Sequence, residues 1–261
     1  MIKFSQTQGD VSELANKYPK DGIQRQIISI MEQSNMPYSF KNINELMFNI
    51  DLRTQIINSA YALYNSELDF AVFRETRCNE AYWIRERNGG FTLKDGVKAS
   101  HAISDIFRNT RKYATECATA MLMVYYMALL QVFPRELFDS VFDKIYLMNW
   151  HGIDRNLKEI GIMRKISDGL PGDRRYFKNP DVDLVAPEWQ GENVIDLGNG
   201  TYYGNGIGIY SSDEIIKYLN ENRNSDSTVS AYLMDTAGNP DFKKLYNILE
   251  KYQLQSSSFT A

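Results

Sequence analysis

Apolar positions at helical spacing predict a long helix early in the chain. Between Ile43 and Asn65 they fall near one face: Leu46, Ile50, Ile57, Tyr61 and Tyr64. Because this spacing is typical of an amphipathic helix, and Asn42 or Asn44 offers a capping side chain, we expect a long helix here.

Shorter apolar runs predict strands. They are found at Leu68 to Phe73, Tyr82 to Arg85, Phe91 to Leu93, Lys144 to Met148, Asn193 to Leu197 and Thr201 to Tyr203. The last two are separated by Gly198-Asn199-Gly200, which is typical of a tight turn between antiparallel strands.

Further helices are predicted at Ser100 to Phe107, Ser211 to Leu219 and Pro240 to Tyr252. Polar residues dominate residues 1–20, Asn220 to Ser227 and Gln253 to Ala261, and these segments are expected to be surface loops or frayed ends. No composition shift marks a domain boundary. The mixture predicts an α+β protein forming a single domain over residues 1–261.

The stretch YATECATAMLMVYYMALL, from Tyr113 to Leu130, combines an apolar helix with a carboxylate and a thiol at its start. If the helix begins near Thr115, Cys117 lies in the first turn, where unpaired amides favour a negative group and lower a thiol pKa from its usual value of about 8.5. This placement indicates a nucleophile. The alternative is that Cys117 is a small buried apolar residue, the commoner role of a free cysteine.

Composition and charge narrow the possible partners. A net charge of -4 provides no basic field for nucleic acid. The first ten residues, MIKFSQTQGD, contain no signal-peptide core, and the longest apolar run, Ala118 to Leu130, is shorter than the roughly 20 residues of a membrane span. An intracellular protein is expected, with Cys78 and Cys117 as free thiols.

Few other residues offer recognisable chemistry. The chain has two histidines, His101 and His151, and the sequence around them does not link either one to Cys117. No His or Cys cluster has metal-ligand spacing, so no metal or cofactor is expected. The glycines of GNGIG, from Gly204 to Gly208, lack the order of a nucleotide-binding loop and more simply allow close backbone approach.

Several segments together resemble the bacterial spore-coat transglutaminases, the protein-glutamine gamma-glutamyltransferases of endospore formers. The nucleophile segment is YATECATA from Tyr113 to Ala120. Five others agree in the same order and at compatible spacing: Glu45 to Phe48 (ELMF), Tyr82-Trp83, Trp150-His151, Tyr176 to Pro180 (YFKNP) and Trp189 to Ile195 (WQGENVI). The resemblance runs from about residue 40 to the C-terminus, and residues 1–40 are interpreted as an extension that packs on the core or is partly mobile.

The resemblance implies a papain-like, NlpC-type core with a nucleophile helix packed on a small antiparallel sheet. It also implies a Cys-Glu dyad, in which Cys117 works with Glu192 of the Gly-Glu-Asn motif and Glu116 assists. Aromatic walls of a substrate passage would be formed by Phe70, Trp150 and Trp189.

In one position the chain departs from the family pattern. The family has a histidine before Gly-Leu-Gly, and this chain has Asn205 before Gly206-Ile207-Gly208. An asparagine donates a hydrogen bond and can orient the site, but it does not accept a proton at working pH. The departure favours a carboxylate as the base. In water the pKa values of a thiol and a glutamic acid differ by some 4 units, about 6 kcal/mol, so the site has to bring them together.

The implied reaction is protein cross-linking through a cysteine thioester. Glutamine- and lysine-bearing proteins, expected to be spore-coat proteins, are joined by an isopeptide bond. Two alternatives stay open: a cysteine peptidase or amidase on the same core, which uses water instead of lysine, and a structural coat protein with weakened activity.

Overall fold

Eight α-helices are found in the structure, a computed structural model that describes residues 1–6, 9–66, 68–183 and 185–258. The helices are α1 Val11–Asn16, α2 Ile23–Gln33, α3 Ile43–Asn65, α4 Ala99–Arg108, α5 Cys117–Val132, α6 Arg135–Val141, α7 Ser212–Asn220 and α8 Phe242–Ser258. Three short 3-10 helices add to them: Thr110–Lys112, Lys158–Gly161 and Pro187–Gln190.

The strands form one five-stranded sheet and four smaller ones within the described residues. In chain order they are β1 Ile2–Phe4, β2 Tyr38–Phe40, β3 Asp69–Phe70, β4 Trp83–Arg85, β5 Phe91–Leu93, β6 Ala114–Thr115, β7 Tyr146–Leu147, β8 Arg164–Lys165, β9 Arg174–Lys178, β10 Gly191–Asp196, β11 Thr201–Gly204, β12 Gly208–Ser211, β13 Tyr232–Leu233 and β14 Thr236–Ala237. The larger sheet has the order β12-β11-β10-β9-β13, and all its pairs are antiparallel. The expected α+β class, with a helix packed on an antiparallel sheet, is confirmed.

Helix α5 forms the centre of the molecule. Every residue from Ala118 to Leu130 is buried, so the helix is apolar on all sides. It packs against α3, α4, α6 and β10. Its first residue, Cys117, therefore lies where the central helix meets the sheet.

The prediction of α3 is confirmed at both ends, but its single apolar face is not. The side chain of Asn42 accepts the Glu45 amide and caps the helix. Burial extends around most of its circumference because α2, α5, α8 and the sheet all pack against it. Buried Arg53 is paired with Asp173 at 2.7 Å, which ties α3 to the start of β9.

Most short elements are also found where the pattern predicts them. The hairpin β10–β11 turns at Gly198 and Gly200, whose φ angles of 83° and 81° favour glycine. Helix α7 is capped reciprocally by Ser211 and Glu214, as its opening residues predict.

Two polar segments expected to be loops are in part regular structure. Helix α8 continues to Ser258, past the predicted end at Tyr252, and residues 259–261 lie outside the described residues. Near the N-terminus, β1 pairs with β2, and α1 is capped by Asp10, while residues 7 and 8 lie outside the described part. Local capping and strand pairing thus order sequences whose composition is typical of loops.

The first forty residues contribute an apolar cluster of their own. Leu14, Ile27, Ile28 and Met31 are buried together with Leu46 and other side chains of α3. No described helix has both the length and the apolarity to cross a membrane.

Candidate active site

A cavity of about 430 Å³ opens at the start of α5. Its lining includes the thiol, both carboxylates and all three aromatic residues predicted for the site: Cys117, Glu116, Glu192, Phe70, Trp150 and Trp189. These residues come from four separate regions of the chain, and the fold brings them together around one space.

Glu116 fixes the start of α5. Its carboxylate accepts the backbone amide of Ala118 at 2.6 Å and that of Thr119 at 2.8 Å, so it is the N-cap and Cys117 is the first helical residue. The predicted start near Thr115 is two residues early, because Ala114 and Thr115 pair with β3 as a short strand. The thiol nevertheless lies in the first turn, as predicted.

Glu192 approaches the same thiol from the sheet. It lies on β10, is 3% exposed, and interacts with Cys117 closely enough for thiol hydrogen bonding to lower its pKa, against the larger raising effect of burial. Its Oε1 has no hydrogen-bond partner among the described residues. Both Glu116 oxygens, by contrast, accept hydrogen bonds from the helix. Of the two carboxylates, Glu192 has the oxygen that is free to take a proton.

Burial raises the pKa of Glu192, and the charge of Glu116 raises it further. Burial also raises the pKa of Glu116, and the helix amides oppose this. Both directions agree with the sequence-based expectation. The two carboxyls are therefore held nearer to the protonation range of a base that works at neutral pH.

The predicted direction for the thiol is wrong. Burial raises the pKa of Cys117 well above its usual range, and the charges of Glu192 and Glu116 add to this. The position at the helix start does not reverse the effect, since two carboxylates face the same sulfur. Hydrogen bonds from Asn193 act in the opposite direction.

The aromatic residues of the cavity are held by contacts with neighbouring side chains. The Arg174 guanidinium carbon lies over the Trp150 ring, 4.0 Å from the centroid of that ring. Trp189 packs edge-on against Tyr218. Phe70 lies at the mouth of the cavity with 38% of its surface exposed, and it is close to Cys117 because β3 pairs with β6.

Thr119, Asn193 and Arg174 belong to the site but were missed in the sequence. Thr119 donates its hydroxyl to Glu116 and accepts the amide of Asn149, which joins the helix start to the loop bearing Trp150. Asn193 follows Glu192 in the Gly-Glu-Asn motif, and that adjacency was the available signal. Nothing in the local sequence distinguishes Arg174 from Arg175.

The remaining candidates lie apart from the cavity. Asn205 is buried and donates to the Thr115 carbonyl at 2.9 Å, so it supports the strand before Cys117 and does not line the cavity. His101 and His151 are exposed. Cys78 is half-buried and free, like Cys117. Among the described residues no group of His, Cys, Asp and Glu could hold a metal ion.

The absence of a side chain at Gly204 leaves space for the Glu192 carboxylate. A Cβ at this position would lie 2.7 Å from Glu192 Oε1 and 3.0 Å from its Cγ. We expect Gly204→Ala to lower the rate of the chemistry by about 10- to 100-fold, because a displacement of about 1 Å at a reacting group has effects of that size. The measurement is turnover together with the thermal unfolding midpoint.

Gly200→Ala is the matched control in the same hairpin. Its added Cβ meets nothing within 4 Å, while its φ of 81° strains the turn. This variant is expected to lose stability and keep turnover. Equal losses of turnover in both variants would contradict the role given to Gly204.

Comparison with known proteins identifies a family whose sequence model this chain matches. The sequence model of the protein-glutamine gamma-glutamyltransferase family matches residues 1–249, which includes the first forty residues. The chain is 43% identical over 224 residues to the enzyme of that name from Bacillus cereus (strain AH820), covering 85% of this chain and 80% of the relative. The Bacillus mycoides (strain KBAB4) enzyme is similar at the same identity over 223 residues.

A solved structure is similar in fold as well. It is the transglutaminase from Geobacillus stearothermophilus without its C-terminal extension, 43% identical, with a TM-score of 0.74. The match covers 78% of this chain and 97% of that one.

Proposed function

The chain belongs to the protein-glutamine gamma-glutamyltransferase family, and we propose that Cys117 and Glu192 carry its reaction as a dyad. The protein is a cross-linking acyltransferase that joins glutamine and lysine side chains. The observation that supports the dyad is the pairing of Cys117 with a buried Glu192 whose Oε1 has no partner among the described residues. Glu116 assists by capping the helix and by its charge.

In the first half-reaction the Cys117 S–H bond breaks and its proton passes to the Glu192 carboxylate. The thiolate attacks the carboxamide carbon of a glutamine side chain, and the C–N bond breaks. Glu192 returns the proton to the departing ammonia, which leaves a thioester on the enzyme.

In the second half-reaction a lysine amine attacks the thioester carbon and releases the sulfur. The amine proton returns through Glu192 to Cys117, and an isopeptide bond remains. Walls formed by Phe70, Trp150 and Trp189 suit this step because they exclude competing water and accommodate the alkyl stem of lysine. Asn205 supports the nucleophile by holding the Thr115 carbonyl.

The substrates we propose are spore-coat proteins, and the spore coat is the proposed location. We also propose that residues 1–261 act as one transglutaminase domain. The family match over residues 1–249 and the packing of Leu14, Ile27, Ile28 and Met31 against α3 support this.

The test uses a fluorescent primary amine and a glutamine-rich protein. Ammonia release and amine incorporation are measured on the same samples, and they are expected to rise together when the amine is in excess. Ammonia release without incorporation would favour an amidase, and cleaved protein chains would favour a peptidase. Absence of both would favour a structural coat protein.

A further inference from the structure

The side chain of Asn193 faces the reacting sulfur. Its Nδ2 donates to Cys117 Sγ at 3.7 Å, and both this side chain and the backbone N–H of Asn193 act to lower the pKa of the thiol. Asn193 is 8% exposed, so water competes little for these donors. The side-chain donor of Asn193 thus points to the atom on which charge develops when the thiol loses its proton.

Arg174 determines which end of the Asn193 amide faces the sulfur. Its Nη1 donates to Asn193 Oδ1 at 2.7 Å, and its Nε donates to the Ile160 carbonyl at 3.0 Å. An arginine only donates, so the amide oxygen has to face Arg174 and the NH₂ group has to face Cys117. Arg174 is 2% exposed and its guanidinium lies over the Trp150 ring, which leaves it little freedom to turn.

Hydrogen-bond donors to the sulfur have more to offset here than at a cysteine without acidic neighbours. Two carboxylates, Glu116 and Glu192, face the sulfur, and like charges disfavour a thiolate. Hydrogen bonds to the charged form act in the opposite direction, and they are strongest in a buried site that excludes water.

We propose that Asn193 is a catalytic donor that stabilises the Cys117 thiolate, and that Arg174 is the positioning residue that keeps the Asn193 amide turned toward the sulfur. The roles rest on the proposed function of Cys117 as nucleophile. The step they assist is the breaking of the S–H bond, in which the proton passes to Glu192 and the electron pair stays on sulfur.

The charged and titratable groups around the sulfur are contributed by α5, β9 and β10. They are Glu116 at the helix start, Arg174 and Tyr176 on β9, and Glu192 on β10. Burial raises the pKa of Tyr176 to about 12 and lowers that of Arg174 to about 10, so both keep their protons near neutral pH.

The experiment measures the sulfur directly, without transglutaminase turnover. In a Cys78→Ala background, Cys117 is the one thiol left in a chain with two cysteines. Its alkylation by iodoacetamide is followed from pH 7 to pH 10. Below the thiol pKa the rate is proportional to the thiolate fraction, so a raised pKa appears as a slower rate at every pH. We expect Asn193→Ala to slow alkylation about tenfold, as for loss of one hydrogen bond to a charged group.

Variants of Arg174 test the positioning role. Both Arg174→Gln and Arg174→Lys are expected to slow alkylation nearly as much as Asn193→Ala, since a lysine keeps the charge but not the two-pronged donation. In the double variant Asn193→Ala/Arg174→Gln no further loss is expected, because Arg174 acts through Asn193. Arg175→Gln is the matched control, since this buried neighbour donates to the carbonyls of Met234 and Thr236 instead.

Unchanged alkylation in Asn193→Ala overturns the proposal, and this variant removes only a small side chain, so it tests the idea even where Arg174 variants fail to fold. Wild-type rates in Arg174→Lys, or additive losses in the double variant, overturn the positioning role. If amine incorporation is absent from the wild type while alkylation responds as described, the transglutaminase proposal fails and the thiolate proposal stands.

Discussion

Cys117→Ala is expected to abolish amine incorporation, with a loss of at least about 10⁴-fold. The thioester that links the two half-reactions cannot form without the sulfur, and removing a nucleophile has effects of that order in enzymes with covalent intermediates. Incorporation of a fluorescent primary amine into a glutamine-rich protein, followed over hours, provides the necessary range.

Cys78→Ala is the matched control, because it removes the other thiol from a half-buried position away from the cavity. We expect near wild-type incorporation from this variant. Both substitutions remove one sulfur, so they separate the chemistry of Cys117 from the general loss of a thiol. Incorporation by Cys117→Ala at a rate close to that of Cys78→Ala would rule out Cys117 as the nucleophile.

Glu192→Gln is expected to lower kcat/KM by about 10²- to 10⁴-fold, the usual contribution of a positioned general base. The replacement keeps the size of the side chain but accepts no proton from the thiol. Because burial and Glu116 raise the pKa of Glu192, activity is expected to disappear as pH falls through a value above the usual one of about 4.3. This acid limb should be absent from the pH profile of Glu192→Gln.

Two other variants show whether the effect belongs to Glu192 alone. His151→Ala is expected to keep nearly full activity, since His151 is exposed and does not line the cavity. Glu116→Gln is expected to destabilise the fold by about 1 kcal/mol through the weakened cap, with a smaller loss of rate than Glu192→Gln. A larger loss in His151→Ala than in Glu192→Gln would remove the carboxylate from the role of base.

Local patterns were sufficient wherever neighbouring residues in the chain determine the geometry. The capping side chains at Asn42 and Ser211 give the starts of α3 and α7, and the Gly198-Asn199-Gly200 turn gives the hairpin of β10 and β11. The same kind of reasoning failed at the end of α8, because a polar composition describes exposure and not conformation.

The candidate site was predictable to the extent that its residues occur in motifs. Cys117 beside Glu116 at the head of an apolar helix, and Glu192 in Gly-Glu-Asn, were found from the sequence and its family resemblance. Arg174 was not, since its partners Asn193, Ile160 and Trp150 are distant in sequence and meet it only after folding.

The sequence by itself determined which thiol is proposed as the nucleophile, its place in the first turn of α5, and the carboxylate next to it in the chain. Only the tertiary structure decided the protonation of the sulfur. A helix start favours a thiolate through the amides of its own first turn, and Glu116 is next to the sulfur in the chain. Burial of the sulfur and the charge of Glu192, which β10 brings to it, come only from tertiary packing, and both raise the pKa of the thiol. Electrostatic effects depend on the distance between charges and on the exclusion of water, and neither can be read from the order of residues along the chain.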